Sequence, residues 1–185
     1  MGIIIIISGI SLVGLMPIYR WLNTKEPESK ETLNESTFDH GPIQANPKLY
    51  EGRFASELVP IKVIIPAVGI DVAVKPAKVI KGKWEIFEDS ASYGIGSASP
   101  GENGNIVVFA HAREGYFLPL RKITKGAKIY ILTKEGWYNY EVSETKEVKP
   151  IDVSVIQPTI DETITLYTCS GFADTKRLIV TGKRV

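Results

Sequence analysis

From residue 61 onward, apolar side chains come in short runs that Gly, Pro, Asn or Asp interrupt. Residues 61–65 (Ile-Lys-Val-Ile-Ile) stop at Pro66, and residues 71–74 (Asp-Val-Ala-Val) stop before Pro76. Residues 83–87 (Lys-Trp-Glu-Ile-Phe) alternate apolar with polar, and residues 105–110 (Asn-Ile-Val-Val-Phe-Ala) follow a Pro-Gly-Glu-Asn-Gly turn. Residues 127–133 and 137–148 flank Lys134-Glu135-Gly136, a hairpin signal, and residues 163–168 and 177–185 complete the series. Eight β-rich segments separated by turn residues predict an all-β barrel or sandwich. Only residues 116–123 read as a short helical turn, and no strand–helix–strand alternation or internal repeat is present.

The N-terminus follows another pattern. Residues 2–19 carry no charge and include five consecutive isoleucines, Ile3 to Ile7. Extended through Arg20, Trp21 and Leu22, the stretch approaches the ~20 residues that a helix needs to cross a bilayer core. A cleaved signal peptide would want a basic start and small residues at the cut, whereas residues 15–19 (Leu-Met-Pro-Ile-Tyr) are bulky. Tyr19 and Trp21 beside Arg20 suit an interfacial end. The expected organisation is therefore an N-terminal transmembrane anchor over residues 1–22, a polar stalk over 23–48 and a β domain over 49–185. The stalk is rich in charged and small polar residues, contains Pro27, Pro42 and Pro47, and holds His40, which reads as a solvated side chain. Arg20, Lys25 and Lys30 follow the apolar stretch with no cation before it, which by charge alone would put the β domain inside the cell.

Composition narrows the functional classes. Hydrophobic residues make up 44% of the 185, enough for a buried core. Lys plus Arg total 22 against 21 Asp plus Glu, so no global field favours nucleic acid or acidic lipid. A single Cys excludes an internal disulfide, and with two His it forms no recognisable zinc cage. No cofactor is expected. Catalysis by one thiol remains open.

Three residues stand at the edges of apolar β-runs: His111 after 106–110, Cys169 after 164–168, and Arg177 at the head of 177–180. Strand ends fix a side chain's position while the adjoining loop exposes it. Singly, each has an ordinary reading: a buried small thiol, a hydrogen-bonded imidazole, a solvated guanidinium. Together they cover the roles that thiol acyl transfer requires, namely a nucleophile, an acid for the departing amine and a fixed cation for the oxyanion. At reference pKa values about 3% of a thiol is thiolate at pH 7 and about a quarter of an imidazole is cationic. If independent, the doubly poised fraction is under about 1%, and proximity enlarges it.

The residues that carry this chemistry resemble a known family. Residues 100–111 (Pro-Gly-Glu-Asn-Gly-Asn-Ile-Val-Val-Phe-Ala-His) are similar to the histidine segment of sortases, and residues 117–123 and 125–130 resemble its continuation. Thr165-Leu166-Tyr167-Thr168-Cys169 fits the family's Thr-Leu-x-Thr-Cys signature, Arg177 lies eight residues on, and residues 63–71 resemble the opening strands. The resemblance spans about residues 58–185. It implies an eight-stranded sortase-like β-barrel with short helical turns, anchored in the cell membrane by a single pass, with the catalytic domain facing outward. This opposes the charge signal.

The resemblance further implies a cysteine transpeptidase with Cys169 as nucleophile, His111 as general acid/base and Arg177 as stabiliser of substrate and oxyanion. Ala110, Thr165, Tyr167 and Thr168 fall near the peptide groove by position; strand alternation puts Tyr167 and Cys169 on one face and Thr168 on the other. The implied partners are a secreted protein bearing a Leu-Pro-x-Thr-Gly-like sorting signal and an amine acceptor from peptidoglycan or a pilin, with no nucleic acid. Ala110 stands where many members have Gly, and the Cys-to-Arg connection is short. Acidic clusters of the calcium-dependent branch are not identifiable. Other thiol enzymes of the cell envelope fit less well: His111 precedes Cys169, opposite to papain-like enzymes, and the Ser/His-Gly-Cys-Arg pattern of L,D-transpeptidases is absent. An inert peptide-binding barrel and a plain hydrolase remain as rivals.

Overall fold

The computed structural model describes residues 58–185. The expected anchor, the stalk and the first part of the β domain lie outside the described residues. Among the described residues ten strands form: β1 (Lys62–Ile65), β2 (Ile70–Ala77), β3 (Val79–Ile80), β4 (Lys83–Trp84), β5 (Ala91–Gly94), β6 (Asn105–Phe109), β7 (Lys128–Leu132), β8 (Trp137–Val148), β9 (Thr163–Ser170) and β10 (Lys176–Arg184). Eight of them close into a barrel in the order β1-β2-β5-β6-β9-β10-β8-β7, and β7 pairs back onto β1. Short 3-10 turns fill several connections, the longest over Leu118–Lys122, inside the segment expected to be helical.

Alternation explains most of the strands. β2 is buried at Ile70, Val72 and Val74 and exposed between them, as expected of a strand with one face on a core. The barrel interior collects Val63, Ile65, Val72, Ile106, Val108, Ile129, Ile131, Ile164, Leu166 and Val180. A fully buried aliphatic side chain of this kind contributes about 1.5–3 kcal/mol through lost water contact. A smaller cluster, Trp84, Val107, Phe109, Ile156, Tyr167 and Ile179, covers the outside of β6, β9 and β10. The same three strands are thus apolar on both faces.

The expected number of barrel strands is correct, but one member differs. Residues 83–87 alternate convincingly, yet only Lys83–Trp84 is strand, paired with β3 in a separate two-stranded sheet. The eighth barrel strand is β5, Ala-Ser-Tyr-Gly, whose four residues are all buried. Small residues without alternation give no strand signal. Gly94 shows what they permit: a Cβ there would lie 2.6 Å from the Trp84 ring, so the indole rests directly on the strand's backbone.

Strand direction decides which loop ends meet. β2 pairs with β5 and β6 pairs with β9 in parallel; the other barrel pairings are antiparallel. Parallel neighbours end at the same rim, and the antiparallel β10 begins at the rim where β9 ends. The C-terminal ends of β6 and β9 and the start of β10 therefore meet.

Candidate active site

Register brings the three candidate residues level. Phe109 pairs with Tyr167 at the end of β6, and the Ala110 N–H continues the ladder to the Tyr167 carbonyl at 3.3 Å. Carried one residue further, the register sets His111 beside Cys169. On the other flank of β9, Cys169 is paired directly with Arg177. Partners in a register point to the same side of a sheet. Tyr167 and Ile179, two residues from Cys169 and Arg177, both lie in the outer cluster, as does Phe109, two residues before His111. Cys169 and Arg177 therefore belong to the outer face of β9 and β10 at one rim, and His111, two residues past the end of β6, continues the same face. Leu166, Val180 and Ala110 lie in the interior cluster on the opposite face.

Each is held differently. Cys169 is half-buried. Burial pushes its thiol pKa up; the Arg177 charge opposes this, Asp174 adds to it, and Arg121 opposes it more weakly. Arg177 is 1% exposed, and its Nη1 donates to the carbonyls of Asp174 and Lys176, both at 2.9 Å. The turn that supplies one of these carbonyls, Phe172–Asp174, is tight: Ala173 and Asp174 both adopt left-handed backbone, with φ of 48° and 57°. Such backbone costs an ordinary residue about 1–2 kcal/mol, and here it aims a carbonyl at the guanidinium. Anchoring one end of the fork fixes a planar cation beside the sulfur.

His111 has a neighbour that its sequence context does not announce. Its Nε2 stands 3.1 Å from Glu88 Oε1, at ion-pair separation though off the hydrogen-bond direction. The other Glu88 oxygen accepts from Arg113 Nη1 at 3.1 Å, and the Arg113 guanidinium lies 4.4 Å above the Tyr116 ring. Glu88 lies in the connection before β5, far from His111 along the chain, and no motif spacing links the two. Only the adjacency of β5 and β6 does.

The four residues expected near a peptide groove have their own partners. Thr168 Oγ1 donates to the Ala110 carbonyl at 2.7 Å, tying the ends of β6 and β9 together. Thr165 Oγ1 donates to Asn105 Oδ1 at 2.8 Å and lines a polar cavity of about 270 Å³ toward the other end of β9, with Thr163, Thr181 and Gln157. The Tyr167 ring stacks on Phe109 at 4.8 Å between centroids, and Phe109 in turn stacks on Trp84 at 5.9 Å. All four side chains are buried; Thr168 and its partner Ala110 lie next to Cys169, whereas Thr165 sits toward the far end of β9. Among the described residues no cluster of His, Cys, Asp and Glu has the makings of a metal site.

A half-buried thiol flanked by an anchored guanidinium, with an imidazole just past the end of the neighbouring strand, has the parts for acyl transfer. The sulfur can attack a carbonyl, the cation can hold the developing oxyanion and the imidazole can move the proton.

Similarity to known proteins agrees with this chemistry. A family model described as the sortase domain matches residues 63–185. Sortase A of Listeria monocytogenes is 44% identical over 68 residues, 36% of this chain and 31% of that protein. Sortase D of Bacillus subtilis is 35% identical over 106 residues, 52% of this chain and 53% of that one. The chain thus spans about a third to a half of the length of these curated relatives. The crystal structure of Streptococcus pneumoniae sortase C superposes with a TM-score of 0.62 at 27% identity, covering 77% of this chain and 78% of that one. That structure was described for its insights into catalysis and pilin substrate specificity.

Proposed function

Since the chain belongs to the sortase family, we propose that it is a cysteine transpeptidase that cuts a sorting motif of the Leu-Pro-x-Thr-Gly type near the end of a secreted protein. The Cys169 sulfur attacks the carbonyl carbon of the scissile peptide bond, and Arg177 holds the oxyanion. The C–N bond breaks as His111 gives its proton to the departing amine, leaving the acyl group on Cys169 as a thioester. An incoming amine then attacks the thioester and passes a proton to His111 as the C–S bond breaks, and that proton returns to the Cys169 thiolate. The acceptor is an amine of the cell wall or of a pilin; the Streptococcus pneumoniae relative's pilin specificity supports the latter. Residues 1–22 anchor the chain in the cell membrane with the barrel outside, where secreted substrates and wall amines meet.

The observation that carries this reading is the alignment of β6, β9 and β10, which supports a site with the chain's one thiol between an imidazole and an anchored guanidinium. Incubating the full-length chain in detergent with a library of sorting peptides and candidate amines tests it. Mass spectrometry should find an acyl adduct on Cys169 that amine discharges. Peptide cleavage by a Cys169→Ala chain would refute it.

A further inference from the structure

The proposed proton transfer requires one defined nitrogen of His111 to face the sulfur. An imidazole half-open to water turns about its side-chain bonds and exchanges tautomers unless something holds it. In metal sites the holding group is a carboxylate on the far ring nitrogen, which fixes both tautomer and orientation. Glu88 occupies that position here, 3.1 Å from Nε2.

We propose that Glu88 is a positioning residue that holds the His111 ring by Nε2, with Arg113 clamping the carboxylate, so that Nδ1 is the nitrogen that exchanges a proton with Cys169. Two observations support it besides the distance. The Glu88 side chain is 76% exposed, so its pairing adds little to stability and a folding role does not account for it. The carboxylate is also not loose. Its second oxygen is taken by Arg113, Arg113 is stacked on Tyr116, and the loop carrying both is cinched by the Phe117 N–H to the His111 carbonyl at 3.2 Å. A chain of contacts thus runs from Tyr116 through Arg113 and Glu88 to the ring.

The protons balance. With its proton kept on Nε2, beside the Glu88 carboxylate, the neutral ring presents a bare Nδ1. Nδ1 takes the thiol proton as the thiolate forms, and returns it to the nitrogen of the departing amine when the C–N bond breaks. No further reactant is needed.

This inference rests on the catalytic role given to His111 above, and two separate readouts keep the two apart. In the full-length chain, Glu88→Ala should lower kcat for sorting-peptide cleavage about tenfold, at the lower end of what loss of such a partner costs. KM should stay within about twofold, because Glu88 touches no substrate. Glu88→Asp should recover part of the loss and Arg113→Ala should show a smaller one. Independently of activity, the ring nitrogens of His111 at mildly alkaline pH should give separate protonated and bare 15N signals in the unaltered chain, and averaged signals in Glu88→Ala. An unchanged 15N pattern in Glu88→Ala overturns the proposal whatever the rate does, as does an unchanged kcat. Full activity in His111→Ala would instead overturn the underlying reading.

Discussion

Tyr140, which donates to Glu162 just before β9, and Cys169, near the end of that strand, are ionisable groups with neighbours of opposite charge. Glu162 accepts from the Tyr140 hydroxyl and from the Gly101 N–H at 2.8 Å. Arg184 stands 3.6 Å from its other oxygen and covers the rings of Tyr138 and Tyr140 at 5.2 and 5.7 Å. Burial, reinforced by the Glu162 carboxylate, pushes the Tyr140 hydroxyl far above its usual pKa, so it stays a donor. At the Cys169 end burial again pushes the pKa up, but the largest charge nearby is the Arg177 cation, which pulls it down. Desolvation is common to both ends. The sign of the adjacent charge makes one a locked clasp and leaves the other a proton that can be moved.

Altering each end of β9 in turn, with activity and stability both read, separates the two roles. Cys169→Ala should abolish peptide cleavage, by at least about 10⁴-fold as for other nucleophile removals, with an unchanged thermal midpoint. Arg177→Lys should cost about 10²–10³-fold in kcat, the usual loss on removing an oxyanion donor, because a point-charge ammonium does not reproduce the rigid fork that is anchored on two carbonyls. Glu162→Ala should behave in reverse. Loss of charge-assisted hydrogen bonds from a largely buried site predicts about 2–3 kcal/mol of destabilisation by urea titration, with kcat within about twofold.

A milder test uses the thiol alone. Because folding raises the Cys169 pKa, less thiolate is present at neutral pH than in a free cysteine. Iodoacetamide should therefore alkylate Cys169 more slowly than free cysteine at pH 7, with the rate climbing to a midpoint above the ordinary thiol range. Arg177→Gln, which removes the opposing charge, should move that midpoint higher still. A lower midpoint in that variant would contradict the assigned electrostatics.

The sequence reveals much of this through strong local patterns and misses what depends on neighbours remote along the chain. The apolar runs at β1, β2, β6, β9 and β10 are legible because one face of each meets the barrel interior. β5 is not, since Ala91, Ser92 and Gly94 carry no strand preference, and tertiary pairing with β2 and β6 makes the strand. Conversely, Trp84 and Ile86 look like alternating residues of one barrel strand but serve the outer cluster instead. At the site, His111, Cys169 and Arg177 stand out because each ends or begins a run. Glu88 and Arg113 sit in polar loops where any surface charge would look the same. The partners that bury Thr165, Tyr167 and Thr168 likewise come from other strands.

Catalysis as described requires positions 111, just past the end of β6, and 169, on β9, to lie side by side on the same face. A His111→Cys variant gives the chain a second thiol next to its only native one. A disulfide needs Cα atoms within about 4.4–6.8 Å and converging side chains. Mild oxidation of this variant should yield an intramolecular disulfide, seen as a loss of two mass units and of both alkylatable thiols. Two thiols that remain free and reactive under the same oxidant would contradict this geometry.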